Sequence, residues 1–527
     1  MQPNFLLFIT DQQRADHLGC YGNPIVRTPA LDALARQGWS ADRFYVGSPI
    51  CMPNRATLIT GRLPSVHGAR HNGIPLSQRA TTFVERLRQA GYATALVGKS
   101  HLQNMTGKPP IWPPAGSASV GEAWADEAGD YSQEWGPLWQ NDPSHDLSTP
   151  FYGFARVALA VDHGDQVWGH YERWLAAEHP EVRRLWGPEH ALPTPEFELA
   201  AHRQAWRTRV PEDCSTNAYV GDRTIALLRE SAARGTPFFI QCSFPDPHHP
   251  FTPHGKYWDM YQPDEIDLPP SFHASAAPGH QPPPHVAWLY GQREAGKAVK
   301  HTPAMFACTE REAREAIALN YGSISHIDAT IGRVMQALRH YGLDDNTVVI
   351  FTSDHGDFFG DHQLLWKGPV HYQGLIRTPF IWRDPQQTTQ EPRSQSLCST
   401  ADIAPTILAR AGLPIYNGMQ GCSLLPVIRG ERDCVRDAVL IEEENQRVLF
   451  GLPDRMRMRT LQTARHRLSV YAEAPWGELY DLQEDPMELR NLWHDPGHAA
   501  LRGELTFELS RTMIRHAETS PHPTALA

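Results

Sequence analysis

Five consecutive residues, Cys51-Met52-Pro53-Asn54-Arg55, place a nucleophile and a cation at a spacing that suits attack on an anionic ester. Ala56-Thr57-Leu58-Ile59-Thr60-Gly61 follows and reads as the body of a helix. Pro53 fits its first turn, where a missing N–H costs nothing. Cys51 is then expected at the helix N-terminus, where free N–H groups and the dipole favour an anion. Arg55, one turn on, faces the same way. The ordinary alternative for a lone cysteine is a buried structural thiol. It loses ground because other chemistry-bearing residues recur at strand ends along the chain.

Phe5-Leu6-Leu7-Phe8-Ile9 is a continuous apolar run that ends in Asp11 and Gln12. Tyr92–Gly98 ends in Lys99 and His101, Pro237–Phe244 in His248, and Thr347–Ser353 in Asp354 and His355. Uniformly apolar runs of this length suit strands buried on both faces of a parallel sheet. Ligands bind beyond the carboxyl ends of such strands. Helical patterns lie between the runs, at 28–38, 81–90, 220–229 and 310–341, which implies βαβ units. The expected fold class is therefore α/β, with a large, mostly parallel central sheet flanked by helices. Convergence of those strand ends would gather two carboxylates, an amide oxygen and an imidazole (Asp11, Asp354, Gln12 and His355). That set suits one divalent cation, Ca²⁺, Mn²⁺, Mg²⁺ or Zn²⁺, with no sharp preference. Taken singly, an aspartate after a strand serves as well to cap the next helix.

The motifs resemble those of the sulfatase family. Cys51-Met52-Pro53-Asn54-Arg55 followed by Thr60-Gly61-Arg62 is similar to its signature, although Met52 and Asn54 stand where small residues are usual. Thr10-Asp11-Gln12-Gln13, Gly98-Lys99-Ser100-His101, Pro247-His248-His249-Pro250-Phe251 and Thr352-Ser353-Asp354-His355-Gly356-Asp357, then Lys367, follow in the family's order. Ser399–Thr406 and Glu478–Leu482 match later hallmarks. The resemblance implies conversion of Cys51 to formylglycine by a maturation enzyme, with the hydrated aldehyde as nucleophile and one metal. It further implies that Arg55 supports that group, that Lys99 and Lys367 clamp the sulfuryl oxygens, and that His101 and His248 move protons. It implies sulfate-ester substrates, and an arylsulfatase-like activity. Asp-Gln paired with Asp-His is more similar to the phosphonate monoester hydrolase branch. Phosphonate monoesters or phosphodiesters are therefore the alternative substrates. Asn72, in an Asn-Gly pair, is a candidate substrate contact, with a plain turn as its bland reading.

The 527 residues exceed one ordinary domain. The expected division is a catalytic unit over 1–425, with an insertion at about 105–210 rich in Trp and Pro, and an α+β subdomain over 426–527. The net charge of −11 offers no global attraction to nucleic acid or an anionic membrane, so an anionic substrate needs a local cationic cluster. Eight widely spaced cysteines do not form a disulfide framework. No signal peptide or membrane span is read, which gives a cytoplasmic expectation. The Pro-rich loops and terminal helix offer surfaces for a homo-oligomer.

Overall fold

Phe5, Leu7 and Ile9 pack into one hydrophobic core and Leu6 and Phe8 into another. This two-sided burial is why the first strand is apolar throughout, and it sets the architecture. In the computed structural model, residues 2–108, 128–275, 280–386, 392–448, 450–452 and 454–526 are described. The strands in chain order are β1 (Asn4–Thr10), β2 (Trp39–Tyr45), β3 (Ala93–Gly98), β4 (Arg156–Val161) and β5 (Trp168–Gly169). There follow β6 (Phe238–Ser243), β7 (Phe306–Ala307), β8 (Thr347–Ser353), β9 (Leu364–Leu365), β10 (Phe380–Arg383) and β11 (Arg393–Ser399). Last come β12 (Ala438–Glu444), β13 (Arg457–Thr463), β14 (His466–Tyr471) and β15 (Gly477–Asp481).

Nine of these form one sheet in the order β11-β2-β10-β8-β1-β6-β3-β4-β5. Only β10 and β5 run against the rest. Thr10 pairs with Ser353, and Ile9 and Gly98 both lie opposite Ser243, so the carboxyl ends of β1, β3, β6 and β8 finish level. Helices α1 (Pro29–Gln37), α3 (Thr216–Arg234) and the 31-residue α4 (Glu310–His340) bury their apolar stripes on one face. Helix α2 (Cys51–Thr60) contributes Ala56, Leu58 and Ile59 to the other. A Thr309/Glu312 capping box starts α4, with each side chain accepting the other residue's backbone N–H.

The expected strands and helices are present, with ends shifted by a few residues. Strands β2, β11 and β13 escape a sequence reading because Trp-Ser-Ala-Asp-Arg-Phe-Tyr, Arg-Ser-Gln-Ser-Leu-Cys-Ser and Arg-Met-Arg-Thr-Leu-Gln-Thr mix polar and apolar residues without a continuous apolar run. The 105–210 insertion takes part in the main architecture, because its β4 and β5 extend the central sheet itself. Its Pro109, Pro110, Trp112, Pro113, Pro114 and Trp124 lie outside the described residues.

The tail builds an antiparallel sheet, β12-β13-β14-β15, covered by α5 (Ala499–Arg515) through Leu501, Leu505 and Leu509. This sheet is tied to the approach to α2. Glu442 N donates to Gly47 O at 2.9 Å, and Ser65 N donates to the Glu442 carboxylate at 2.7 Å. Among the described residues no helix is long and apolar enough to cross a membrane, and all eight cysteines are free thiols.

Candidate active site

Cys51 opens α2, and Pro53 lies in the first turn as the sequence requires. The thiol is 2% exposed. Three groups surround its Sγ: His355 Nε2 at 3.0 Å, Lys367 Nζ at 3.2 Å and Asp11 Oδ1 at 3.8 Å. Burial and the Asp11 carboxylate push the thiol up, but Lys367, His355 and Lys99 outweigh them and bring it down to about 7.

Asn54 stitches this helix into the sheet edge. Its Oδ1 accepts from Gly47 N at 2.9 Å, and its Nδ2 donates to Asp354 O and to Thr400 Oγ1. Arg55 sits one turn below Cys51, bonds three groups on three strand ends and faces a carboxylate on a fourth. Its Nε donates to Asp354 Oδ2 at 2.8 Å, and its Nη1 to Lys99 O and Ser243 Oγ, both at 3.0 Å. Its Nη2 lies 3.7 Å from Asp11 Oδ2 and is buried with no hydrogen-bond acceptor among the described residues. Removing such a cation would leave the buried Asp354 carboxylate without its arginine partner.

Asp11, Cys51, Asp354 and His355 offer ligand atoms that all lie within 4.8 Å of one another. His355 Nδ1 bonds the Gly356 carbonyl at 2.9 Å, which turns Nε2 toward Asp11 Oδ1 and Asp354 Oδ1, each 3.6 Å away. Such a carbonyl partner fixes the tautomer that a metal-binding imidazole needs. Gln12 sits at the rim. Its Nε2 donates to Asp357 Oδ2 at 2.6 Å, and its Oε1 accepts from Lys367 at 3.0 Å. Two carboxylates, an amide oxygen and an oriented imidazole are a donor set that fits one hard or borderline divalent cation.

Lys99 projects from the end of β3. Its ammonium bonds Asp11 Oδ2 and lies 2.6 Å from His163 Nε2. Gly98 makes this turn possible. Its φ is +99°, and a Cβ there would stand 1.8 Å from Ser243 O, the acceptor of Lys99 N. Burial pushes the Asp11 carboxyl up, yet Lys99, His248, His163 and Arg55 hold it well below the usual range. Lys367 also reaches His248 Nε2, at 3.0 Å. His248 is buried among basic neighbours. Burial first, then the neighbouring His163, Lys367 and His249, hold it well below the ordinary imidazole value. Burial, Lys99 and Arg55 do the same to His101. The His101 Nδ1 is buried without a partner among the described residues, and its φ of +57° is left-handed.

Asn72 does more than make a plain turn. Its Oδ1 accepts from Met52 N at 3.1 Å, satisfying an open donor of the α2 first turn, and the residue lines a cleft shared with Lys367. His163 was missed by the sequence reading. Its ring stacks on His248 with centroids 3.9 Å apart, and its Nε2 lies 3.4 Å from Asp11 Oδ2. The signal was present: Val157-Ala158-Leu159-Ala160-Val161 is an apolar run that stops at Asp162-His163, like the other four. Asp11, His163 and His248 form a second cluster of ligand-type atoms, but the Lys99 ammonium already stands between Asp11 and His163.

The family model described as "Sulfatase" matches residues 3–413, and "N-sulphoglucosamine sulphohydrolase, C-terminal" matches 360–515. The chain belongs to the sulfatase family. An arylsulfatase of Clostridium perfringens is 27% identical over 93% of this sulfatase-family chain and 90% of its own length. A multifunctional alkaline phosphatase superfamily protein of Trinickia caryophylli is also 27% identical, over 98% and 96%. The phosphonate monoester hydrolase of Agrobacterium radiobacter superposes on this family member with a TM-score of 0.76 at 27% identity, covering 98% of this chain and 97% of that one.

Proposed function

We propose that the chain hydrolyses sulfate monoesters at the S–O bond, releasing inorganic sulfate and an alcohol or phenol. The observation that carries this reading is the Cys51 Sγ at a buried helix N-terminus, with Lys367, His355 and Asp11 within 3.8 Å. In this reading a maturation enzyme converts Cys51 to formylglycine. The hydrated aldehyde supplies two hydroxyls on one carbon, so the covalent ester is resolved without attack by water. One divalent cation, held by Asp11, Gln12, Asp354 and His355, supplies Lewis-acid chemistry at the transferred group.

The chain's own residues do the rest. Arg55 places a positive charge beside the two carboxylates and fixes their orientation, since it bonds Asp354 and faces Asp11. Lys99 and Lys367, buried and close to the nucleophile, hold the sulfuryl oxygens as charge builds there. Lys367 donates toward His248 Nε2, so the pair is set to pass a proton to the leaving oxygen. Burial keeps His101 neutral, the form a base needs to take the proton of the second hydroxyl.

A second reading has its own support. Asp11-Gln12 with Asp354-His355, and the likeness to a phosphonate monoester hydrolase, favour phosphonate monoesters or phosphodiesters handled by the same residues. Such esters carry one negative charge, as sulfate monoesters do. Rates on matched aryl sulfates and aryl phosphonates separate the two readings, and faster sulfate turnover is expected. Cys51→Ala and Cys51→Ser should each lower kcat by on the order of 10³-fold or more. The native Cys51 peptide should weigh about 18 Da less than the thiol form. Undiminished turnover in both variants would refute the covalent route.

A further inference from the structure

The end of strand β12 and the loop that follows it, 445–447, form one wall of a cleft whose other walls hold Asn72 and Lys367. The cleft is shallow, with a cavity volume of about 90 Å³, and is open to solvent on one side. It is adjacent to the reaction centre, because Ile50 also lines it and Lys367 touches Cys51 Sγ. The leaving alcohol of an ester reacting at Cys51 would project into this open cleft.

The charges facing this cleft do not cancel. The Glu443 carboxylate is taken by His371 at 3.0 Å, and that of Glu444 by Arg70 at 3.2 Å and Arg459 at 3.5 Å. Lys367 is engaged with the site itself. Arg455 lies on the same side, with Nη1 3.3 Å from His71 Nε2. Arg447 remains. Among the described residues its side chain pairs with no carboxylate and donates to no acceptor; only its backbone N–H is bonded, to Asn445 Oδ1. It is half-buried, and burial alone lowers its affinity for its proton. A guanidinium partly withdrawn from water without a counter-ion is costly, and a planar anion lying against it removes that cost.

The geometry points to Arg447 as a receptor for a fixed negative group on the leaving alcohol, a carboxylate or a sulfonate/sulfate, so that the preferred substrates are esters of anionic alcohols. This rests on the sulfatase reading of the site only for the identity of the transferred group. A guanidinium fork accepts either anion through two parallel hydrogen bonds, whereas an ammonium acts as a point charge.

The test compares kcat/KM for three aryl sulfates: 4-(carboxymethyl)phenyl, 4-(sulfomethyl)phenyl and, as the neutral isostere, the 4-(carboxamidomethyl)phenyl ester. Wild type should favour the charged esters, and their relative rates rank carboxylate against sulfonate. In Arg447→Ala the charged-to-neutral ratio should fall at least about tenfold, and in Arg447→Glu further still. Arg447→Lys should recover part of the ratio. A wild-type ratio near one, or equal losses on charged and neutral esters in Arg447→Ala, would overturn the proposal. The corresponding phenylphosphonate esters are run in parallel. Turnover of these without turnover of the sulfates would end the sulfate reading, while the same ratio would still decide the role of Arg447.

Discussion

Side chains at the heart of this molecule are held by partners that are themselves fixed, and His163 is the clearest case. Its Nε2 faces the Lys99 ammonium while its Nδ1 lies 3.3 Å from Asp162 Oδ1. The aspartate favours the tautomer with a proton on Nδ1, which leaves Nε2 free to accept from Lys99. A hydrogen bond to a charged group is worth about 1.5–3 kcal/mol. His163→Ala should therefore lower kcat/KM by roughly ten- to a hundredfold. His163→Gln, whose amide oxygen can accept from Lys99, should recover part of it. A loss confined to Tm, with kcat/KM unchanged, would reduce His163 to a packing role. Most of this site was legible in the sequence because Asp11, Lys99, His248 and Asp354 each follow an apolar run. His163 was not, because the run that presents it is short and lies among Trp and Pro. The titration of His248 was not legible either, since it depends on burial and on three charged or basic neighbours from distant segments.

The elements carry their own constraints. Strand β3 ends in a glycine because the chain must turn beneath Ser243 O, and an L-residue at φ +99° with a Cβ 1.8 Å from that oxygen cannot do so unstrained. Gly98→Ala should cost about 1–3 kcal/mol by urea denaturation, and should lower activity by displacing Lys99. Helix α2 depends on His67. The ring lies 3.1 Å from Thr57 Oγ1, accepts from Ala69 N, and is pushed down to about 3 by burial. In the unfolded chain the same imidazole titrates at about 6.5. The unfolded state thus binds this proton first as pH falls. Stability linked to His67 is present above pH 6.5 and is lost between there and about 3. At pH 5 this amounts to about 2 kcal/mol. His67→Gln should flatten the fall in urea midpoint between pH 7.5 and 5 by that amount, and parallel curves for the two proteins would show that His67 contributes nothing to it. Strands with unbroken apolar runs could be read directly. Strands such as β2 and β13, which mix polar and apolar residues without a continuous apolar run, could not.

Over the whole molecule, groups from five strand ends and α2 converge, so like charges gather at one edge of the sheet. Asp11, Asp354 and the ligand atoms beside them make a pocket that a divalent cation would stabilise. A ligand that binds only the folded state at a hundred times its Kd adds about 2.7 kcal/mol. EDTA treatment should accordingly lower Tm and abolish turnover, and one of Mn²⁺, Ca²⁺, Mg²⁺ or Zn²⁺ should restore both. An unchanged Tm with full activity after chelation would rule out the ion. The convergence also orders events in time. Cys51 is enclosed by Asp354, His355, Lys367 and, through Glu442, by strand β12, all of which leave the ribosome more than 300 residues after it. At about 5–20 residues per second that interval is about 15–60 s. Under the conversion of Cys51 proposed above, the thiol is reachable by the converting enzyme until that interval closes and is sealed afterwards. The speed of synthesis downstream of residue 51 would then act as a clock on how much of the population is activated.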